Sequence, residues 1–275
     1  MSVTFDTLKA DATIFTALNS NPSWWKRFKE DPSLYIEIRK DNQVNVYFEG
    51  GSIARIHYCS KHKKLQVFTH HKYLGESVLS KNNLYIECEE FIGDRLEEVL
   101  DRVKCVYSLK HNVIGAMAKE KWTEKYIQGT LIVQSRQFHL DSEFAYIDET
   151  ANNRIDLVRC DDGVVTFIEL KCMDDGRMLH ETDATPEVVF QMRRYMRFIE
   201  KYSSQLLGYY QKVYDIKKSL GLPVPSTRPF VINPIPELLI FDRGVKKTGG
   251  RDEHRRRVYE ILNSENIRYC IKTDL

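Results

Sequence analysis

The first ninety residues alternate between hydrophobic and polar side chains in short runs, which is typical of half-buried β-strands. The runs occupy residues 34–39, 44–48, 53–58 and 65–69. The pairs Asp41-Asn42 and Gly50-Gly51 stand between the first three runs and are residue types that favour turns. We therefore expect an antiparallel meander, and we assign residues 1–90 to an N-terminal β-rich accessory domain.

Near residue 90 the hydrophobic spacing changes to three and four residues, which indicates helices. The expected elements are helices over 91–110 and 114–128, a strand over 129–135, a strand–turn–strand unit over 154–172, a long helix over 187–220, a strand over 237–241 and a helix over 252–263. Gly221 is the expected cap after the long helix. This order predicts an α/β domain over residues 91–275, with a mixed sheet flanked by helices on both sides.

Composition excludes several classes of protein. Hydrophobic residues make up 42% of the chain and charged residues 29%, which is ordinary for a globular protein. No apolar run approaches the roughly 18 residues of a transmembrane helix, and the N-terminus lacks the pattern of a secretory signal. Six scattered cysteines without CxxC spacing favour a reducing cytoplasm. The net charge, 41 − 39 = +2, neither demands nor excludes a nucleic-acid partner.

The strand–turn–strand unit has a register that the sequence predicts. Asp162-Gly163 separates two β-rich runs and favours a two-residue type I′ turn, in which both central residues need a positive φ. With this turn the numbers of paired residues sum to 325, so Asp156 faces Glu169 on one side of the sheet. A turn one residue earlier would instead place Phe167 opposite Asp156.

Two carboxylates that face each other are destabilising, by some tenths of a kcal/mol to about 1 kcal/mol. A divalent cation between Asp156 and Glu169 would reverse that sign, because Mg²⁺ prefers hard oxygen ligands. Lys171 lies two residues beyond Glu169 and projects from the same face, where it can hold or activate a water molecule. The alternative is a solvent-facing strand pair whose charges are incidental.

An aspartate on one strand and Glu-x-Lys on its antiparallel neighbour resemble the PD-(D/E)XK nuclease superfamily. Here these residues are Asp156 and the segment from Glu169 to Lys171. Gln191 and Tyr195, on the long helix, resemble the QxxxY motif of the RecB-type branch. The residues before the aspartate do not include the proline that gives the superfamily its name. The resemblance covers residues 115–242 and says nothing about residues 1–90.

The resemblance implies a restriction-endonuclease-like fold and metal-dependent hydrolysis of phosphodiester bonds. The implied ligands of Mg²⁺, or of Mn²⁺ as a substitute, are Asp156, Glu169, the Leu170 carbonyl and a helix acid that is either Glu124 or, one turn earlier, Glu120. Lys171 would orient or deprotonate the attacking water. Gln191 and Tyr195 would contact the scissile phosphate or the strand end.

The expected function is a magnesium-dependent nuclease that acts on DNA in preference to RNA, in microbial defence or DNA processing. The alternative is a catalytically silent nucleic-acid-binding or scaffold protein that retains the nuclease fold, and a second alternative is an α/β protein unrelated to nucleic acid. Residues 57–73 and 243–257 are basic and would contact phosphates, or else are solvated surface. Residues 1–90 would either recognise substrate or mediate oligomerisation, and no membrane partner is expected.

Overall fold

The structure, a computed structural model, describes residues 7–74, 84–111, 123–147, 152–178, 185–242 and 249–275. Within these residues the chain is of mixed α/β class, with one antiparallel sheet, one mixed sheet and six α-helices. The chain divides into two compact units. The first comprises Thr4–Arg136 and Lys212–Val224, and the second comprises Gln137–Gln211 and Pro225–Leu275.

The first unit is built on a five-stranded antiparallel sheet. Its strands are β1 (Leu34–Arg39), β2 (Gln43–Phe48), β3 (Gly51–Cys59), β4 (Lys64–His70) and β5 (Tyr85–Glu87), and each pairs with the next. The meander expected from the alternating runs is therefore confirmed. The helices of this unit are α1 (Thr13–Asn19), α2 (Ser23–Glu30), α3 (Leu96–His111) and α4 (Glu124–Gln134). The compact unit thus extends past residue 90, where the hydrophobic spacing changes.

Helix α4 passes very close to the turn between β2 and β3. A Cβ atom added at Gly129 would lie 2.3 Å from the backbone nitrogen of Gly50 and 2.7 Å from the carbonyl carbon of Glu49. Such distances are far shorter than any real Cβ contact. Glycine at position 129 is therefore required by the close approach of the helix to the turn.

The strand expected over residues 129–135 is wrong, because helix α4 continues through this segment to Gln134. Thr130, Ile132 and Val133 are β-branched and favour strands locally. Burial overrides that preference: Ile127 and Leu131, four residues apart on one face of the helix, are 0% and 6% exposed. Tertiary packing decides the structure of this segment.

The second unit contains a mixed sheet in the order β11-β10-β8-β7-β6, with β9 paired to the start of β8. The strands are β6 (His139–Ile147), β7 (Asn152–Asp161), β8 (Val164–Cys172), β9 (Val231–Ile232), β10 (Glu237–Phe241) and β11 (Tyr269–Lys272). Strands β6, β7 and β8 pair antiparallel, whereas β8, β10 and β11 pair parallel. The strands β6, β9 and β11 were not expected from the sequence.

The β7–β8 hairpin has the predicted register. Asp161 pairs with Val164 and Cys160 with Val165, and both sums are 325. The two loop residues, Asp162 and Gly163, have φ values of +47° and +80°, as a type I′ turn requires. The register in which Phe167 would face Asp156 is excluded, because Phe167 pairs with Val158.

Two helices, α5 (Glu187–Ser219) and α6 (Gly249–Ser264), follow the hairpin. Phe198 and Tyr210 of α5 contact Phe144 of β6, and Tyr210 also contacts Phe167 of β8. These rings hold the helix on the mixed sheet. The cap expected after α5 is confirmed, because Gly221 has a φ of +67° and the next N–H donates back into the last turn.

Among the helices of the described residues, none has both the length and the apolar character that crossing a membrane requires.

Candidate active site

Glu169 and Lys171 lie on the same face of β8 and are almost completely buried, with side chains 2% and 1% exposed. The Lys171 ammonium donates to Oε1 of Glu169 and, at 3.0 Å, to the carbonyl oxygen of Leu170. A buried charge needs such partners, because removal from water is otherwise very unfavourable. The two residues therefore form a buried ion pair inside the second unit.

Asp156 stands beside this pair on the neighbouring strand. Backbone pairing between β7 and β8 extends to Leu157 and Ile168, and beyond that point Oδ2 of Asp156 accepts the N–H of Leu170 at 2.9 Å. The same oxygen lies 4.0 Å from the Lys171 nitrogen. The Asp156 side chain is 25% exposed, so this carboxylate is where the site reaches solvent.

Helix α5 contributes two further side chains, four residues apart on one helix face. Nε2 of Gln191 lies 2.7 Å from Oε1 of Glu169 and 2.7 Å from the hydroxyl of Tyr195. The Tyr195 hydroxyl donates to the carbonyl of Arg154, two residues before Asp156, at 2.6 Å. A single hydrogen-bonded chain therefore connects the helix with both strands of the hairpin.

The environment raises the pKa of both Asp156 and Glu169. Burial, and then repulsion by Glu169, raises the pKa of Asp156 to about 7. Burial also raises the pKa of Glu169, against the opposing attraction of Lys171. Two acids held close together around one lysine cannot both ionise easily without a further positive charge. Perturbed acids of this kind are typical of functional sites.

The donor atoms fit a hard divalent cation. Oε2 of Glu169 is buried and has no hydrogen-bond partner within the described ranges, although its neighbour Oε1 accepts two donors. Two carboxylates and the Leu170 carbonyl are oxygen ligands, and Mg²⁺ characteristically takes one or two carboxylates while keeping several waters. Among the described residues, no group of three or more acidic, histidine or cysteine side chains is placed to hold a metal ion.

The helix acid is the one expected ligand that the second unit does not supply. Glu124 is the first residue of α4, is half-buried and belongs to the first unit. Glu120 lies outside the described residues. The choice between these two acids therefore stays a prediction, whereas Asp156, Glu169 and Lys171 are brought together with Gln191 and Tyr195.

The two basic segments contain several cations that are already paired. Lys64 lies 3.5 Å from Glu87 and 3.4 Å from Glu89. In the second segment, residues 243–248 lie outside the described residues, and Arg255 makes a two-pronged ion pair with Asp242, with one distance of 2.8 Å. The positive charge available to a polyanion is therefore smaller than the residue count indicates.

One part of the site was missed at the sequence level. The Arg154 carbonyl is a backbone group, and no side-chain pattern could have indicated it.

The chain matches no protein-family model, no curated protein and no solved structure. Its function therefore has to be argued from the geometry of the site.

Proposed function

We propose that this protein is a metal-dependent nuclease that hydrolyses phosphodiester bonds, with Asp156, Glu169 and Lys171 at its active site. The observation that carries the proposal is the convergence of these three side chains on two antiparallel strands, with Gln191 bonded to Glu169. The proposal includes a restriction-endonuclease-like arrangement of the second unit. An antiparallel hairpin, a following helix and a parallel strand β10 beside β8 support it.

Asp156, Glu169 and the Leu170 carbonyl would hold a Mg²⁺ ion. When bound, the ion lowers the pKa of a coordinated water and stabilises negative charge on the phosphate. Asp156 has to lose its proton first, because only the ionised carboxylate binds a cation well. Its raised pKa therefore makes cation binding weaker below neutral pH than above it.

The side chains around the acids have separate tasks. Gln191 orients the Glu169 carboxylate by donating to Oε1, which leaves available the Oε2 atom that has no hydrogen-bond partner among the described residues. Lys171 provides a fixed positive charge between Glu169 and Asp156, and in the proposed reaction it orients the attacking water. Tyr195 positions Gln191 and the strand that bears Asp156, through its bond to the Arg154 carbonyl.

We propose DNA over RNA as the substrate, in a cytoplasmic protein, on the basis of the resemblance of the motifs. The test is a gel assay of the purified chain on linear, circular and single-stranded DNA and on RNA, in EDTA, Mg²⁺ or Mn²⁺. Metal-dependent cleavage that is lost in Lys171→Ala and Asp156→Asn supports the proposal. Cleavage that persists in both variants contradicts it. Salt-sensitive binding without any cleavage favours the catalytically silent alternative.

A further inference from the structure

We propose that Arg194 binds a backbone phosphate of the nucleic-acid substrate beside the candidate active site. This inference rests on the proposed function, because it assigns the same site a residue for holding its substrate. It names a group outside the acid–acid–lysine set and outside the Gln191–Tyr195 pair.

The position of Arg194 follows from helix α5. It immediately precedes Tyr195 and is three residues after Gln191, so its Cβ lies about 5–6 Å from that of Gln191. Its guanidinium carbon is 6.0 Å from the centre of the Tyr195 ring. The hydroxyl of that ring is bonded to the Arg154 carbonyl and to Gln191, which in turn contacts Glu169. Arg194 is therefore a neighbour, on helix α5, of two residues of the candidate site.

Among the described residues, no acceptor lies within hydrogen-bond distance of the Arg194 Nε atom. The side chain is half-buried, and the Nε atom itself is buried. Arg193, the preceding residue, is by contrast paired with Glu265. An unmet donor on a half-buried charge is unfavourable in the free protein, and a bound anion would remove that penalty.

The negative charge of the two carboxylates is a second reason to expect a cation that binds phosphate beside the site. In the form that binds a cation, Asp156 and Glu169 place two carboxylates where a phosphodiester would approach, and like charges repel. A guanidinium beside them supplies a positive charge that is never lost by deprotonation, and its planar fork matches two phosphate oxygens. These are the properties required for a residue that holds substrate while the acids stay free for a cation.

The test measures binding without turnover. A fluorescein-labelled DNA with a duplex and a single-stranded end is titrated with protein in EDTA, in an Asp156→Asn background, at several salt concentrations. The compared variants are Arg194→Ala, Arg194→Lys and, as the matched control, Arg197→Ala. Arg197 is exposed and lies about one turn further along α5.

We expect Arg194→Ala to raise the Kd about tenfold and to reduce the slope of log K against log salt by about 1. Arg194→Lys should restore part of the affinity with the full slope, and Arg197→Ala should change the Kd less than twofold. The inference would be overturned if both alanine variants lost affinity equally, or if Arg194→Ala left the salt slope unchanged. It would also be overturned if the parent protein did not bind the DNA. Arg194-dependent binding by a chain that never cleaves would support the inference while the proposed function fails.

Discussion

Nε2 of Gln191 donates a 2.7 Å hydrogen bond to Oε1 of Glu169, across 22 residues of sequence. This contact joins the start of helix α5 to the centre of strand β8. Gln191 and Lys171 both donate to Oε1, so Oε2 is the Glu169 oxygen that has no partner among the described residues. The orientation of the buried carboxylate thus depends in part on a helix residue that contributes no charge. Gln191 acts as a positioning residue for Glu169.

Replacing Gln191 should therefore affect activity more than stability. Gln191→Ala removes donors to Glu169 and Tyr195, and we expect the free energy of unfolding to fall by about 1 kcal/mol. Cleavage should fall at least about tenfold, because the Glu169 carboxylate loses its fixed orientation. Urea unfolding and single-turnover cleavage measure the two effects.

A second glutamine of the same helix provides the control for this variant. Nε2 of Gln211 donates to the Pro229 carbonyl at 2.9 Å, at a point of α5 outside the candidate site. Gln211→Ala should lose a similar free energy of unfolding and keep its cleavage rate. Equal loss of activity in Gln191→Ala and Gln211→Ala would show that Gln191 has only a structural role.

Asp156 should destabilise the metal-free protein at alkaline pH. Its pKa is raised from 3.8 in the unfolded chain to about 7, so between these values the folded state binds more protons than the unfolded state. The contribution of Asp156 to the free energy of unfolding is therefore full below about pH 4 and is lost as the pH rises through about 7. Asp156→Asn removes this dependence.

We expect Asp156→Asn to be more stable than the parent protein at pH 8 in EDTA, by at least about 1.4 kcal/mol, which corresponds to one unit of pKa, because the shift of Asp156 exceeds one unit. Addition of Mg²⁺ should raise the Tm of the parent protein and leave that of the variant unchanged. Thermal unfolding at pH 5 and pH 8 tests both statements. The proposed site would be contradicted if Asp156→Asn were less stable than the parent protein at pH 8. It would also be contradicted if Mg²⁺ raised the Tm of the variant as much as that of the parent protein.

Gly129→Ala should be destabilising although it replaces glycine by the best helix former. The new methyl group would meet the backbone of Glu49 and Gly50 at distances below 3 Å, so helix α4 would have to move. We expect a loss of more than about 2 kcal/mol, as for other overpacked sites. Gly208→Ala in α5 is the control. Apart from its chain neighbours and the helix's own backbone, no atom of the described residues lies within 4 Å of its added Cβ, so it should gain about 0.5–1 kcal/mol from helix propensity.

The first unit contains a buried ion pair that should behave differently from its surface pairs. The Lys217 ammonium lies 2.7 Å from the Glu37 carboxylate, with side chains 5% and 2% exposed. Lys217→Met should lose about 3–5 kcal/mol, because it leaves a buried charge unpaired, and adding Glu37→Leu should restore most of that loss. Lys26→Ala, which breaks a pair between exposed side chains, should change stability by less than about 0.5 kcal/mol. Urea unfolding of the four proteins tests this contrast.

The parts of the fold that the sequence predicted correctly are those in which neighbouring residues alone determine the local structure. Asp162-Gly163 favours one turn type, and that turn sets the register of the pairs from Asp161 and Val164 to Leu157 and Ile168. The apolar stripe of α5 is long enough to exclude a strand, and the Gly221 cap confirms its end. Asp156 and Glu169 lie one position beyond the last backbone pair of this register, and there the Asp156 carboxylate accepts the N–H of Leu170.

The parts that were missed depend on contacts between distant segments. Residues 129–135 favour a strand locally, and the helix exists because it packs against the β2–β3 turn. Strand β11 (Tyr269–Lys272) is short, has three exposed residues out of four and is held by pairing with β10, so its local pattern is weak. The contact of Tyr195 with the Arg154 carbonyl involves a backbone atom that no motif records.

The central claim is that the buried acid–acid–lysine set hydrolyses phosphodiester bonds. The most direct measurement is the single-turnover cleavage rate of end-labelled DNA in Mg²⁺ by the parent protein, Asp156→Asn, Glu169→Gln and Lys171→Met, with circular dichroism showing that each is folded. We expect the parent protein to cleave and each folded variant to lose at least about a hundredfold in rate, as when a charge-stabilising group is removed from an active site. Folded variants that cleave as fast as the parent protein would contradict the account.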